Sequence, residues 1–240
     1  MKSEFAIPNL VWLVPLHSSF VIRHSSFIFI AFATFILPTS SLAQYPRVPK
    51  PVQDEADARR AAADKLSDEA FAKAQPAIRE WAAKGKPWLP GAARPGDLPQ
   101  AKIPAFPGAW GGGMYSFGGR GGSIFVITNL NDSGPGSFRE ACEAGGPRTI
   151  LFNVAGILRL KERIRIRAPY ITISGATAPG DGVCIAGNTV ELETHDVVIR
   201  HMRFRRGETW VGERNDSLGG NPVGNIMIDR VSASWGLGSS

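Results

Sequence analysis

The sequence predicts an all-β chain wound as a parallel β-helix, and two observations carry that expectation. A five-residue phrase occurs three times, as Tyr170-Ile-Thr-Ile-Ser174, Asp196-Val-Val-Ile-Arg200 and Asn225-Ile-Met-Ile-Asp229, with starts 26 and 29 residues apart. Each copy runs on into a second apolar beat, at Ala176, at Met202 with Phe204, and at Val231 with Ala233. Self-similarity at that period is the signature of stacked repeats. Each unit, read as one strand pair, is too short to bury its own apolar face and takes the missing core from its neighbour. Secondly, short β-branched segments follow one another after about Ala144 with no helix-length periodic stretch between them. That excludes a doubly wound sheet and leaves a sandwich or a β-helix, and the repeat selects the β-helix.

The elements follow in chain order. Arg23 and His24 precede an apolar run from Phe27 to Leu37, and Ser41-Leu42-Ala43 places small residues where a signal peptidase cuts. Residues 1–43 therefore read as an export signal, with Gln44 as the new N-terminus. The run is short for a membrane span; an uncleaved anchor is the alternative, and Leu10 to Leu16 is a second apolar patch. Residues 44–102 form a Pro-rich linker and a helical preamble. Within it, Gln53 to Leu66 has helix-forming composition, and Ser67 is placed to N-cap a second short helix ending before Pro76 or near Trp81. The preamble either covers one end of the next domain, where an open solenoid exposes strand edges, or is a solvated spacer.

The β domain runs from 103 to 240. Its strand candidates are Ser123–Thr128, Thr149–Asn153, Gly156–Leu160, Ile164–Arg167, Tyr170–Ser174, Val183–Ala186, Val190–Leu192, Val197–Arg200 and Ile226–Asp229. Ser137–Ala144 has room for one or two helical turns. At roughly 22–29 residues per coil the domain holds about five or six coils.

Composition bounds the partners. The formal net charge is +6, with 27 Lys and Arg against 21 Asp and Glu, which suits an anionic partner: nucleic acid, a membrane surface or an acidic polysaccharide. Two cysteines, Cys142 and Cys184, exclude a disulfide framework; two buried thiols are preferred over a single bridge. The glycines between 108 and 122 precede a strand rather than linking a strand to a helix, so they read as tight turns and not as a phosphate loop. On a strand, Arg203 and Arg205 point to one side while Met202 and Phe204 point to the other. The outward strip can grip carboxylates or pair locally with Glu208 or Glu213. Asp216 and Asp229 can each supply oxygen to a hard cation, although two acids do not make a site. His195 and His201 have no metal-ligand spacing and read as structural or surface residues.

Several longer stretches resemble the bacterial pectate lyases. They are Phe106-Pro-Gly-Ala-Trp-Gly-Gly-Gly, the segment Gly118 to Ala141 through Thr128-Asn-Leu-Asn-Asp-Ser-Gly, Tyr170 to Gly182, Asp196 to Arg205, and Asn225 to Trp235. The resemblance covers about 103–235, in family order. It implies a right-handed parallel β-helix and a secreted, monomeric enzyme that cleaves polygalacturonate by calcium-dependent β-elimination. It implies no nucleic-acid partner, and no membrane once the signal is removed. In that chemistry Ca²⁺ bridges enzyme and uronate carboxylates and acidifies the hydrogen on C5, an arginine removes that proton, and the C4–O bond breaks. The resemblance puts Asp216 at the first calcium aspartate and Asp229 at the Asp of an Ile-Asp-His motif, with Arg230 in place of the His. Gly238 stands where another acid is usual, and no residue matches the catalytic arginine. Arg203, Arg205 and Arg230 are the candidate substrate-binding residues. A chain cut short within its third copy is the expectation, and a non-catalytic module binding acidic polysaccharide is the alternative; a glycoside hydrolase ranks last because no close acid pair occurs.

Overall fold

Alternation at period two puts one side of each short segment in a core and the other outside, and parallel pairing then sets like residues over like. The computed structural model describes residues 48–92, 94–208 and 212–238. The export segment read at 1–43 lies outside them.

Strand β1 (Ser123–Ile127) and a short helix lead into three strands per turn. The first turn is β2 (Arg148–Phe152), β3 (Gly156–Arg159) and β4 (Ile164–Ile166). The second is β5 (Ile171–Ser174), β6 (Val183–Ala186) and β7 (Val190–Leu192). The third is β8 (His195–Arg200), β9 (Arg203–Arg205) and β10 (Leu218–Gly219), and β11 (Gly224–Asp229) and β12 (Ser232–Ser234) belong to the fourth. They form three parallel sheets, ordered β1-β2-β5-β8-β11, β3-β6-β9-β12 and β4-β7-β10, which we call A, B and C. The architecture is a parallel β-solenoid of about four turns. Its turns hold three strands, not the strand pair read from the repeat. The count falls below five or six because residues 103–122 run outside the sheets and excursions such as 206–217 lengthen the coils.

The register explains the repeat. In sheet A, Arg148 lies beside Ile171, Ile171 beside Val197 and Val197 beside Ile226. The three phrases are therefore neighbouring strands. Ile150, Ile173 and Ile199 stack as one fully buried column; Leu158, Ile185 and Phe204 stack as a second in sheet B. The first residue of each phrase, Tyr170, Asp196 and Asn225, has positive φ (63°, 56° and 54°). Three non-glycine residues in that left-handed region at equivalent corners indicate that the surroundings hold them there.

The helix preceding the first complete turn, α2 (Phe138–Glu143), plugs the first coil. Ser137 accepts at its Oγ from the Glu140 N–H at 3.3 Å, and Glu140 accepts from the Gly136 N–H at 2.8 Å, which satisfies N-terminal donors from both sides. Phe138, Ala141 and Cys142 are buried in the main core, with the Phe138 ring 5.8 Å from that of Phe152. At its other end the fully buried Arg148 donates to the carbonyls of Ala141 and Cys142 at 2.8 and 2.7 Å and to those of Gly146, Ala168 and Pro169. Burial pulls its pKa down to about 10, which leaves it charged at neutral pH, where it also complements the helix C-terminus.

The preamble differs from its sequence reading. Lys50–Ala83 is one 34-residue helix, here α1, with Pro76 inside it and Ser67 buried mid-helix rather than capping. Its ion pairs and apolar contacts fall on residues 162–168 of the first complete turn, and it lies beside α2, so it is anchored on the first coil and is not a solvated spacer. Asp64 is ion-paired with Arg163 and Arg165, Asp68 with Arg167, and Arg59 with Glu162; Ala74 and Ile78 pack on Ala168. These contacts hold the helix through the proline, whose missing N–H removes one helical hydrogen bond.

Sheet A is covered by the glycine-rich segment. Ala109 packs on Val198 and Met227. A Cβ on Gly113 would stand 2.0 Å from the Ile226 carbonyl oxygen, and one on Gly119 1.9 Å from that of Arg148. Close backbone approach, beside turns, explains the glycine cluster. Among the described residues the outside of sheet B carries neither cover.

Phe204→Ala is expected to cost about 3–5 kcal/mol, whereas Arg203→Ala, one residue away on the outer side, should change stability by no more than about 0.5 kcal/mol. Urea unfolding of the two variants compares them directly.

Candidate functional site

The residues singled out from the sequence fall on all three sides of the solenoid. Asp216 sits in the loop entering β10 and lines a polar cavity of about 240 Å³ on sheet C with Thr189, Glu191, Arg214 and Asn215. Its carboxylate has no hydrogen-bond or ion-pair partner among the described residues. The chain returns over it one turn later: the N–H groups of Leu237 and Gly238 donate to the Asn215 carbonyl at 2.9 and 3.2 Å. A Cβ on Gly238 would come 2.5 Å from Asp216 Oδ1. The position read as lacking an acid is thus next to Asp216 in space.

Asp229 is elsewhere. It ends β11 on the outer side of sheet A, where Arg200 bonds it through Nε and Nη2, both at 2.8 Å. The Arg200 guanidinium in turn lies 3.6 Å from the Phe106 ring centroid, a cation–π contact. Asp216 and Asp229 do not line one cavity, because the corner at 220–223 carries the chain from sheet C to sheet A between β10 and β11. No group of three His, Cys, Asp or Glu able to hold a metal ion occurs among the described residues. Arg230 occupies a corner between sheets A and B at φ 52°. Arg203 and Arg205 alone of the candidate arginines line a larger groove, of about 1110 Å³, on the outside of sheet B.

A buried polar knot was missed from the sequence. Asp196 and His195 are both fully buried, and His195 Nδ1 lies 2.8 Å from Asp196 Oδ2. The Leu89 N–H donates to His195 Nε2 at 3.1 Å, so Nδ1 is the protonated nitrogen and donates to the aspartate. The other Asp196 oxygen accepts from the Phe117 N–H at 2.8 Å. Asn225 donates to Asp196 and to the Pro99 carbonyl and accepts from Gln100, while the Tyr170 hydroxyl donates to the Pro87 carbonyl. The three phrase-opening residues thus tie the segments 87–100 and 116–119 to the solenoid. The pair looks like part of a catalytic relay but has no solvent access, and its partners are backbone groups; it is structural. Adjacent His and Asp at a repeat start was the sequence signal available.

The two cysteines are both free. Burial pushes the Cys142 thiol up, and Cys184 is half-buried in the floor of the groove on sheet B.

No family model matches the chain. It is similar to the probable pectate lyases C of three fungi. Identity is 44% over 134 residues with that of Neosartorya fischeri, 43% over 134 with that of Aspergillus terreus and 41% over 133 with that of Aspergillus fumigatus. Each match takes in 55% of this chain and 31% of the relative, so the matched stretch spans about a third of the length of these curated relatives. They are fungal, whereas the sequence motifs pointed to the bacterial branch of that family.

Two outcomes are expected at these positions. Asp196→Ala should destabilise the fold, because it leaves the Phe117 N–H, the His195 Nδ1–H and an Asn225 N–H without their acceptor, at about 1–3 kcal/mol for each buried donor left unmade, read as a fall in thermal midpoint together with faster proteolysis within 87–100. A thiol reagent at pH 8 should modify one cysteine, Cys184, in the folded protein, and Cys142 only after denaturation.

Proposed function

We propose that the chain is the Asp216-bearing part of a secreted, pectate-lyase-like β-solenoid acting on polygalacturonate. The observation that carries this reading is the conjunction of the fungal pectate lyase similarity with Asp216, an unpaired carboxylate that meets the next turn at Gly238. A calcium ion, where such a lyase holds one, supplies charge that draws in the uronate carboxylate and acidifies the C5 hydrogen.

The residues present do not by themselves fit that ion. Calcium takes roughly six to eight oxygens. Asp216 offers one free carboxylate, and Thr189 and Asn215 add neutral oxygens at the cavity wall. Glu191, the other acid there, is engaged by Arg163 at 3.1 Å. Burial raises its pKa and Arg163 opposes the rise. What this chain contributes is an anionic anchor at Asp216 beside a small polar recess, on the side of the solenoid where α1 runs. Asp229 in its ion pair with Arg200 is better explained as a clamp holding the 105–114 segment to sheet A than as a ligand.

The test has two parts. Polygalacturonate turnover, followed as unsaturated product in the ultraviolet with and without Ca²⁺, asks whether the protein is a lyase. Calcium titration by calorimetry asks whether Asp216 is a ligand. Gly238→Asp, which sets a second carboxylate against Asp216, should tighten calcium binding by about tenfold, equivalent to about 1.4 kcal/mol. Adding Asp216→Ala should abolish that gain, and an unchanged affinity in Gly238→Asp would sink the reading of Asp216 as an open anionic anchor.

A further inference from the structure

We infer that the outside of sheet B is a second polyuronate-binding surface, separate from the Asp216 recess. Its outward residues stand in two rows along the solenoid axis. One row is Ile157, Cys184, Arg203 and Ser232; the other is Arg159, Ala186, Arg205 and Ser234. Arg159 and Arg205 are two strands apart, about 9.6 Å at the usual spacing, with only the Ala186 methyl between them. The result is a trough with a low floor of Ile157, Cys184 and Ala186, flanked by guanidinium groups and ending at the exposed indole of Trp235.

The cations here, Arg159, Arg203 and Arg205, form no ion pair among the described residues, in contrast to Arg163, Arg165 and Arg167 on sheet C, each of which pairs with an acid of α1. Arg203 donates to the Asp181 carbonyl, and Arg205 to the Ser232 carbonyl at 2.8 Å and to its hydroxyl at 2.7 Å. These bonds fix the guanidinium groups in place without neutralising them. Two acids, Asp181 and Glu208, stand at the rim, and neither forms an ion pair there. The Glu208 pairing considered for this strip from the sequence is absent, and Glu213 is turned inward, almost fully buried.

A linear polyanion laid along the axis meets these charges in order, and carboxylates suit the planar guanidinium fork. The apolar floor and the indole accept the face of a sugar ring. That the anion is a uronate chain rests on the proposed lyase reading; the trough itself does not. Sheet B and the Asp216 recess on sheet C face different ways, so one surface can hold a polysaccharide strand independently of the other.

Calorimetric titration of the full chain with oligogalacturonate, in chelator so that no metal contributes, tests this. Wild type should bind, and binding should weaken steeply with salt. The triple variant Arg159→Ala, Arg203→Ala, Arg205→Ala should lose at least tenfold, while Lys73→Ala, which removes an exposed cation of α1, should leave the affinity unchanged. The corresponding Lys triple variant, which keeps the charge, should retain an intermediate affinity and guards against a folding artefact. Unchanged binding by the alanine variant overturns the proposal and leaves the lyase reading standing. Equal affinity for heparin or DNA overturns it in favour of a generic polyanion surface. Absence of uronate binding by wild type, with and without Ca²⁺, overturns both readings together.

Discussion

Everything in this molecule depends on parallel, in-register hydrogen bonding of each coil to the next. That pairing sets isoleucine on isoleucine and corner on corner, so a residue's neighbours are set by its place in the turn, not by its distance along the chain. The core is accordingly a bundle of columns. Ile150, Ile173 and Ile199 form one, and Phe204 closes another over Ile185. A change at one level is felt by the coils above and below, which is the nearest-neighbour energetics expected of a solenoid. The same pairing leaves an edge to be closed beneath the first coil, and α2, with Phe138 inserted and Arg148 bonded to its last carbonyls, closes it.

The three outer sides have been put to different uses by what lies on them. Sheet A is sealed by a strap whose glycines permit backbone contact and whose inner end is fastened by the Asp196 knot. Sheet C carries a ladder of arginines answered by the acids of α1, and the Asp216 recess opens beside it. Among the described residues nothing covers the outside of sheet B, and no carboxylate is ion-paired with its arginines Arg159, Arg203 and Arg205. This distribution matters more to function than the list of charged residues does, because it separates cations that hold the protein together from cations left to hold something else.

Much of the fold was legible in the sequence because β-branched alternation and the repeat report directly on strand position. Val183–Ala186 and Val190–Leu192 match the structure residue for residue. The strands not read as separate elements were β9, β10 and β12: β9 and β12 follow β8 and β11 across two-residue corners at His201 and Arg230 and read as the second beat of the phrase, and β10 has only two residues. The continuity of α1 through Ser67 and Pro76 was hidden because tertiary ion pairs, not local propensity, maintain it. The candidate site was less legible still. Asp216 and Asp229 are 13 residues apart and looked like partners, but the corner from sheet C to sheet A separates them, and spacing along a chain carries no information about whether a corner has been turned. The proximity of Gly238 to Asp216 and the alignment of Arg159 with Arg205 become visible only once the register is known.

The register itself tolerates growth. Successive sheet A partners are 23, 26 and then 29 residues apart, from Arg148 to Ile171, Val197 and Ile226, yet the strands stay in step. The added length is expelled sideways, most of all into the excursion between β9 and β10 that delivers Asp216. Such a scaffold can acquire new chemistry by insertion without renegotiating its interior. A lengthened loop is an experiment the core does not notice, and the loop that carries Asp216 is where this chain has the most freedom to vary.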